Sequence, residues 1–161
     1  MTGDARFEDG REAPLALRAL DGDDLRVISS LVQDAVFPIT EMTWQRRKRR
    51  FAVLLNRFRW EDAPAAERRG RPFERVQSVL AFEDVMAVAT QGVDLTERDT
   101  VLSLLAAEFT PSEDGTGRVT LTLAGDGAVA LDVECLEASL RDVTRPYVAP
   151  SRKRPDHPLE T

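Results

Sequence analysis

The stretch RVTLTLAGDGAVALDVEC, Arg118 to Cys135, restricts the fold more than any other part of the chain. Its apolar residues recur at every second position, the period of a strand with one buried face. Val119, Leu121 and Leu123 form one set, and Val129, Leu131, Val133 and Cys135 form the other. Directly opposite residues of an antiparallel pair share a face. A two-residue Asp126–Gly127 turn would put the two sets on opposite faces. A three-residue loop, Gly125–Asp126–Gly127, keeps them together, with Gly127 in the left-handed conformation. It predicts Leu123 opposite Val129, Leu121 opposite Leu131, Val119 opposite Val133 and Arg118 opposite Glu134. Cys135 then falls on the apolar face, which predicts a buried and unreactive thiol.

Similar β-rich runs occur at Pro14–Leu20, Ile39–Trp44, Phe51–Trp60, Val76–Phe82, Val85–Thr90 and Val101–Phe109. Phe51 to Leu55 is apolar on both faces, as suits an interior strand. Beyond Asn56, Arg57 and Arg59 lie on one side and Phe58 and Trp60 on the other. After Cys135 the parity flips, so that Leu136, Ala138 and Leu140 alternate with Glu137, Ser139 and Arg141. That predicts a strand continuing past a bulge near Cys135–Leu136, with a short helix as the alternative. One segment has helical spacing instead. Leu25, Ile28, Leu31, Val32, Ala35 and Val36 share a face. Asp21 stands at the N-cap, Asp24 can close a capping box, and Pro38 ends the run. The expected class is α+β, a largely antiparallel sheet or split barrel of about eight strands with one helix in the N-terminal half. The 161 residues suit one domain, placed at 14–145, with Glu61–Pro72 as an internal loop. Residues 1–13 and 146–161 are expected to be a disordered arm and tail.

Several function classes fall away. No run approaches the length of a membrane span, and the polar start lacks the features of a signal peptide, so a cytoplasmic protein without membrane contact is expected. Cys135 and His157 are the only thiol and imidazole in the chain. An intramolecular disulfide is therefore impossible, as is a structural zinc site built from four cysteines or from paired cysteines and histidines. His157 lies among prolines near the end, a poor setting for a catalytic base that needs rigid support. The Gly125–Asp126–Gly127 loop joins strand to strand and so lacks the helix end that binds phosphate. No cofactor, metal or catalytic residue is assigned. Outward carboxylates, Asp132 with Glu134 or Asp94 with Glu97 and Asp99, leave a small carboxylate-dependent or metal-assisted enzyme as the alternative.

The strongest functional feature is a charge asymmetry. Trp44 to Arg75 holds eleven of the chain's 22 cations but only four acids, a net +7, against −13 for the remainder. Ten of the eleven are Arg, the residue suited to bidentate carboxylate or phosphate contacts. Five of them, Arg46, Arg47, Lys48, Arg49 and Arg50, are consecutive and form the expected turn of a hairpin. With Arg57 and Arg59 they make the candidate partner-binding set of a small binding or adaptor module. A protein partner, including a second copy in a homodimer, is favoured. Nucleic acid ranks second, because the rest of the chain is acidic and would repel phosphate. Trp44, Phe58 and Trp60 could stack bases, but core or edge packing is the simpler reading.

The segments LVQDAV, RRFAVLLNRF and DVECLE, within Leu15 to Val143, resemble an uncharacterised alphaproteobacterial family, the domain-of-unknown-function 2948 family. The resemblance implies a bacterial cytoplasmic protein of unknown function. It brings no activity, cofactor or catalytic residue with it.

Overall fold

The alternating runs resolve into eleven strands, all paired antiparallel, with two α-helices among the described residues. The computed structural model describes residues 13–149 and residue 155. His157, the expected arm up to residue 12 and most of the tail beyond Ala149 lie outside the described residues. In chain order the elements are β1 (Ala16–Ala19), α1 (Gly22–Leu31), β2 (Ala35–Pro38), β3 (Met42–Gln45), β4 (Arg50–Phe58), α2 (Ala63–Arg69) and β5 (Glu74–Phe82). They continue with β6 (Val85–Gln91), β7 (Val101–Pro111), β8 (Gly117–Leu123), β9 (Gly127–Val133), β10 (Ala138–Asp142) and β11 (Tyr147–Val148). The class is α+β, and the sheet is open and larger than the expected eight strands. Its order is β1-β10-β5-β4-β2-β7-β8-β9-β6, with β3 on β4 and β11 on β5.

α1 starts as its sequence requires. The Asp21 side chain accepts from the Asp24 N–H at 2.8 Å, and Asp23 and Asp24 sit at the positive helix end. It ends sooner than its apolar spacing suggests. Asp34 is left-handed (φ 66°) and donates its N–H to Leu104 O at 2.8 Å, which turns the chain into β2 on β7. Ala35 and Phe37 then face the core at strand period. The expected internal loop at 61–72 contains α2. Pro64 in its first turn and left-handed Gly70 (φ 66°) at its end are start and stop signals for a short helix. The expected tail also begins too early, because Tyr147 and Val148 pair with Arg75 and Glu74.

The β8–β9 hairpin keeps its apolar sets on one face, but its register differs from expectation by two residues. Leu121 lies opposite Val129, Val119 opposite Leu131, Arg118 opposite Asp132 and Leu123 opposite Gly127. The loop is Ala124–Gly125–Asp126, with Gly125 (φ 82°) and Asp126 (φ 69°) supplying the left-handed positions. Both registers bury the same residues, so hydrophobic parity could not separate them. Gly127 is not left-handed, and a Cβ there would stand 3.3 Å from Val93 Cγ2, so that side chain would have to give slightly.

Two corners carry the chain across the sheet. β5 does not form a hairpin with β6, since left-handed Asp84 (φ 56°) redirects the chain onto β9. β9 likewise stops at Val133, and the chain crosses at residues 134–137 to place β10 between β1 and β5. A separate strand therefore replaces the expected bulged continuation. The corners are laced together, with Glu83 N–H donating to Glu137 O and Glu134 N–H to Asp84 O, both at 2.9 Å. One apolar core fills the fold, from Leu25 and Ile28 of α1 through Phe51, Val53, Leu55, Leu80 and Phe82 to Leu121, Leu131 and Leu140.

Candidate partner-binding surface

The β3–β4 hairpin ends in a four-residue loop, Arg46 to Arg49, closed by the Gln45–Arg50 pair. Lys48 N–H donates to Gln45 O and Arg49 N–H to Arg46 O, both at 3.1 Å, and Arg49 is left-handed (φ 55°). Adjacent cations have no favourable place inside a protein, so the strands hold them outward. Arg46, Arg47 and Lys48 are exposed and have no ion-pair partner among the described residues. The base of the loop is tied to the two corners. Arg49 bonds Glu134 at 2.6 Å, and its carbonyl accepts from Val85 N–H at 2.8 Å. Arg50 Nε lies 3.0 Å from Glu83 Oε2, a charge contact without hydrogen-bond alignment. These half-exposed pairs contribute about 0–1 kcal/mol each, so their role is orientation.

Arg57 and Arg59 are elsewhere. β4 carries them to its far end, roughly 25 Å from the hairpin tip at about 3.3 Å per residue. The seven candidate cations are thus divided between two ends of one strand. The Arg57 side chain has 0% exposure, which removes it from any partner surface. Its guanidinium meets Glu61 with two bonds of 2.9 Å and Asp142 at 3.0 Å, and its Nε donates to Ser78 Oγ at 3.0 Å. Ser78 Oγ donates to Asp142 at 2.7 Å, and Leu15 N–H donates to the same carboxylate at 3.1 Å. The cluster joins β4, β5, β10, the chain before β1 and the start of α2. Burial opposes the charge on Glu61, but hydrogen bonding and attraction from Arg57 outweigh it and hold the carboxyl below its usual value. Burial likewise opposes the charge on Arg57, and Glu61 and Asp142 more than restore it. Arg59 is mostly buried against Glu74, with Asp62 also in reach, and Arg71 forks onto Asp62 at 2.7 and 2.8 Å. The signal for Arg57 was present in the sequence. Phe51, Val53, Leu55 and Arg57 share strand parity, and the first three face the core.

The other candidates are also engaged. Asp132 pairs with Arg118 at 2.9 Å, and Glu134 is held by Arg49. Asp94 accepts from the hydroxyl and N–H of Thr96, which keeps its carboxyl below the usual value. Among the described residues no three His, Cys, Asp or Glu side chains gather around one metal-sized site. Cys135 corrects the expectation of a buried thiol. The chain has left β9 by then, and Cys135 is exposed in the corner with its thiol donating to Asp84 Oδ2 at 3.3 Å. That bond, with Glu134 and Glu137 nearby, pushes the thiol up. Phe58, Trp60 and Phe73 pack on one another, with centroids 4.6 and 5.6 Å from Phe58. Trp44 stands opposite Phe51 at the other end of β4, so Trp44, Phe58 and Trp60 form no common stacking platform. A cleft of about 420 Å³ opens between α1 and β7, where Ser29 Oγ accepts from Ala107 N–H at 2.9 Å.

These features define an antiparallel α+β module with a cationic hairpin held out from an acidic body. The chain belongs to the family described as Protein of unknown function (DUF2948), which matches residues 15–157. No curated protein and no solved structure matches it. Among the described residues no helix is long and apolar enough to cross a membrane.

Proposed function

We propose that the chain is a non-enzymatic cytoplasmic binding module that docks an acidic protein surface on the β3–β4 tip. The observation behind this reading is the split within the tip. Arg49 and Arg50 are anchored to Glu134 and Glu83, while Arg46, Arg47 and Lys48 project without ion-pair partners among the described residues. An anchored base keeps the free cations from folding back onto the acidic body, and so lowers the ordering cost of docking. The loop holds no Gly, Pro or Asn, so turn chemistry alone does not account for its cations. Arg57 and Arg59 act in folding and are left out of the surface. Nucleic acid is the competing ligand class.

The test compares wild type with the triple change Arg46→Ala, Arg47→Ala, Lys48→Ala. Binding to polyglutamate and to mixed-sequence RNA and DNA is titrated against salt. A pull-down from cell extract is run with and without nuclease. Polyglutamate binding and nuclease-resistant retention, both lost in the triple variant, support the reading. Micromolar RNA or DNA binding near physiological salt, with a steep salt slope flattened by the triple change, overturns it in favour of nucleic acid.

A further inference from the structure

We propose that the acidic surface met by the tip belongs to a second copy of this chain, joined antiparallel along the free edge of β6. The inference rests on reading the tip as a partner surface. β6 ends the strand order and, among the described residues, pairs only with β9. Its sequence, VMAVATQ, has no charge and no proline, so the irregular register between Val85 and Ala87 is its one guard as an edge and the strand beyond Ala87 pairs regularly with β9. Met86, Ala87, Ala89, Thr90 and Gln91 are exposed, Met86 to 48%. The opposite edge, β1, is only four residues long and carries Arg18.

The charges at the two ends of β6 identify the partner. At its start, Val85 N–H is bonded to Arg49 O, so the cationic tip hangs beside the first residue. At its end come exposed Asp94 and Glu97, with Asp126 adjacent, since a Cβ on Gly92 would lie 2.9 Å from Asp126 O. In antiparallel self-pairing the start of each β6 lies beside the end of the other. Each basic tip therefore meets the other copy's acidic loop, twice across one two-fold axis. Parallel pairing would set tip against tip and loop against loop. The uncharged strand places no like charges opposite each other in any internal register.

Sedimentation equilibrium of the full chain at low and physiological salt tests this. Wild type is expected to dimerise and to weaken as salt rises. Ala89→Lys, on the exposed edge, should raise the dimer Kd about tenfold or more by setting like charges together. Arg46→Glu, Arg47→Glu, Lys48→Glu in one variant and Asp94→Lys, Glu97→Lys in another should each abolish dimers, while an equimolar mixture of the two restores them. Thermal melts check folding, and neutral substitutions replace any variant that fails to fold. A monomeric wild type at low salt, a dimer indifferent to Ala89→Lys, or a mixture that stays monomeric overturns the inference. If the wild type is monomeric yet the alanine triple still loses polyglutamate binding, only the second-copy inference fails. If that triple changes nothing, the tip reading fails too.

Discussion

Arg57 lies on the core face of β4, and its charge is balanced there by Glu61 and Asp142. Removing one member of such a set leaves the others buried and unmatched. Arg57→Ala or Asp142→Ala should therefore cost about 3–5 kcal/mol in urea unfolding. A loss below about 0.5 kcal/mol, typical of surface changes, would show that the cluster carries no stability. Cys135 is the opposite case, an exposed residue controlled by its neighbours. Its raised thiol pKa, set first by the bond to Asp84, leaves little thiolate at neutral pH. Native labelling should accelerate as pH rises, without unfolding. Asp84→Asn keeps a residue tolerant of the left-handed backbone but removes the charge, so labelling near neutrality should become several-fold faster. An unchanged rate would detach the thiol from Asp84.

Elements differ in how far their own residues specify them. α1 begins where Asp21 and Asp24 dictate, because a cap is a local hydrogen bond. Its end is not local, since the turn at Asp34 depends on the Leu104 carbonyl from β7. β8 and β9 show the same division. Alternation decided which faces are buried, while the register, with Leu123 opposite Gly127, was fixed only in the folded hairpin. At the start of β8, Gly117 leaves no room for a side chain. A Cβ there would stand 2.5 Å from the Phe109 ring and 2.7 Å from Thr110 O. Gly117→Ala should destabilise by about 1–3 kcal/mol through overpacking, read from the urea midpoint. Leu121→Ala should cost about 2–5 kcal/mol, because Leu121 is buried in the core opposite Val129. If Gly117→Ala melts like wild type, the Phe109 ring yields and the strand is not closely packed there.

For the whole molecule, the response to acid follows from carboxylates that arginines hold ionised at the far end of β4. Glu61 and Asp62 are both held below their ordinary values of 4.5 and 3.8, Glu61 despite its burial and Asp62 chiefly by the fork of Arg71. A carboxyl whose folded pKa is depressed stabilises the fold above its unfolded pKa. That contribution is lost as pH falls through the folded value. The melting temperature should therefore hold from neutral pH down to about 4.5 and drop below it. Glu61→Gln should lower the neutral plateau and flatten the acid limb. An acid limb identical to wild type would place the titrating groups elsewhere.

The sequence by itself determined the α+β class, the antiparallel pairing, the N-terminus of α1, a hairpin turn within Arg46–Arg50 and the buried faces of β8 and β9, although Arg50 belongs to β4 and Arg49 and Arg50 are half-buried in ion pairs rather than exposed. Each follows from period, capping or the cost of burying charge, all of which act over a few residues. The family of unknown function was reached differently, by the resemblance of LVQDAV, RRFAVLLNRF and DVECLE, and the family match over residues 15–157 bears it out. Tertiary structure alone decided that Asp84 and residues 134–137 turn the chain across the sheet, and that exposes Cys135 rather than burying it. It also decided that the candidate cations separate to two ends of β4, where Arg57 and Arg59 find acids while Arg46, Arg47 and Lys48 keep no ion-pair partner among the described residues. Charge along a chain is additive, but charge on a surface depends on which residues the fold brings together. The partners of Arg57 lie as far away as Asp142, a separation that no local pattern encodes.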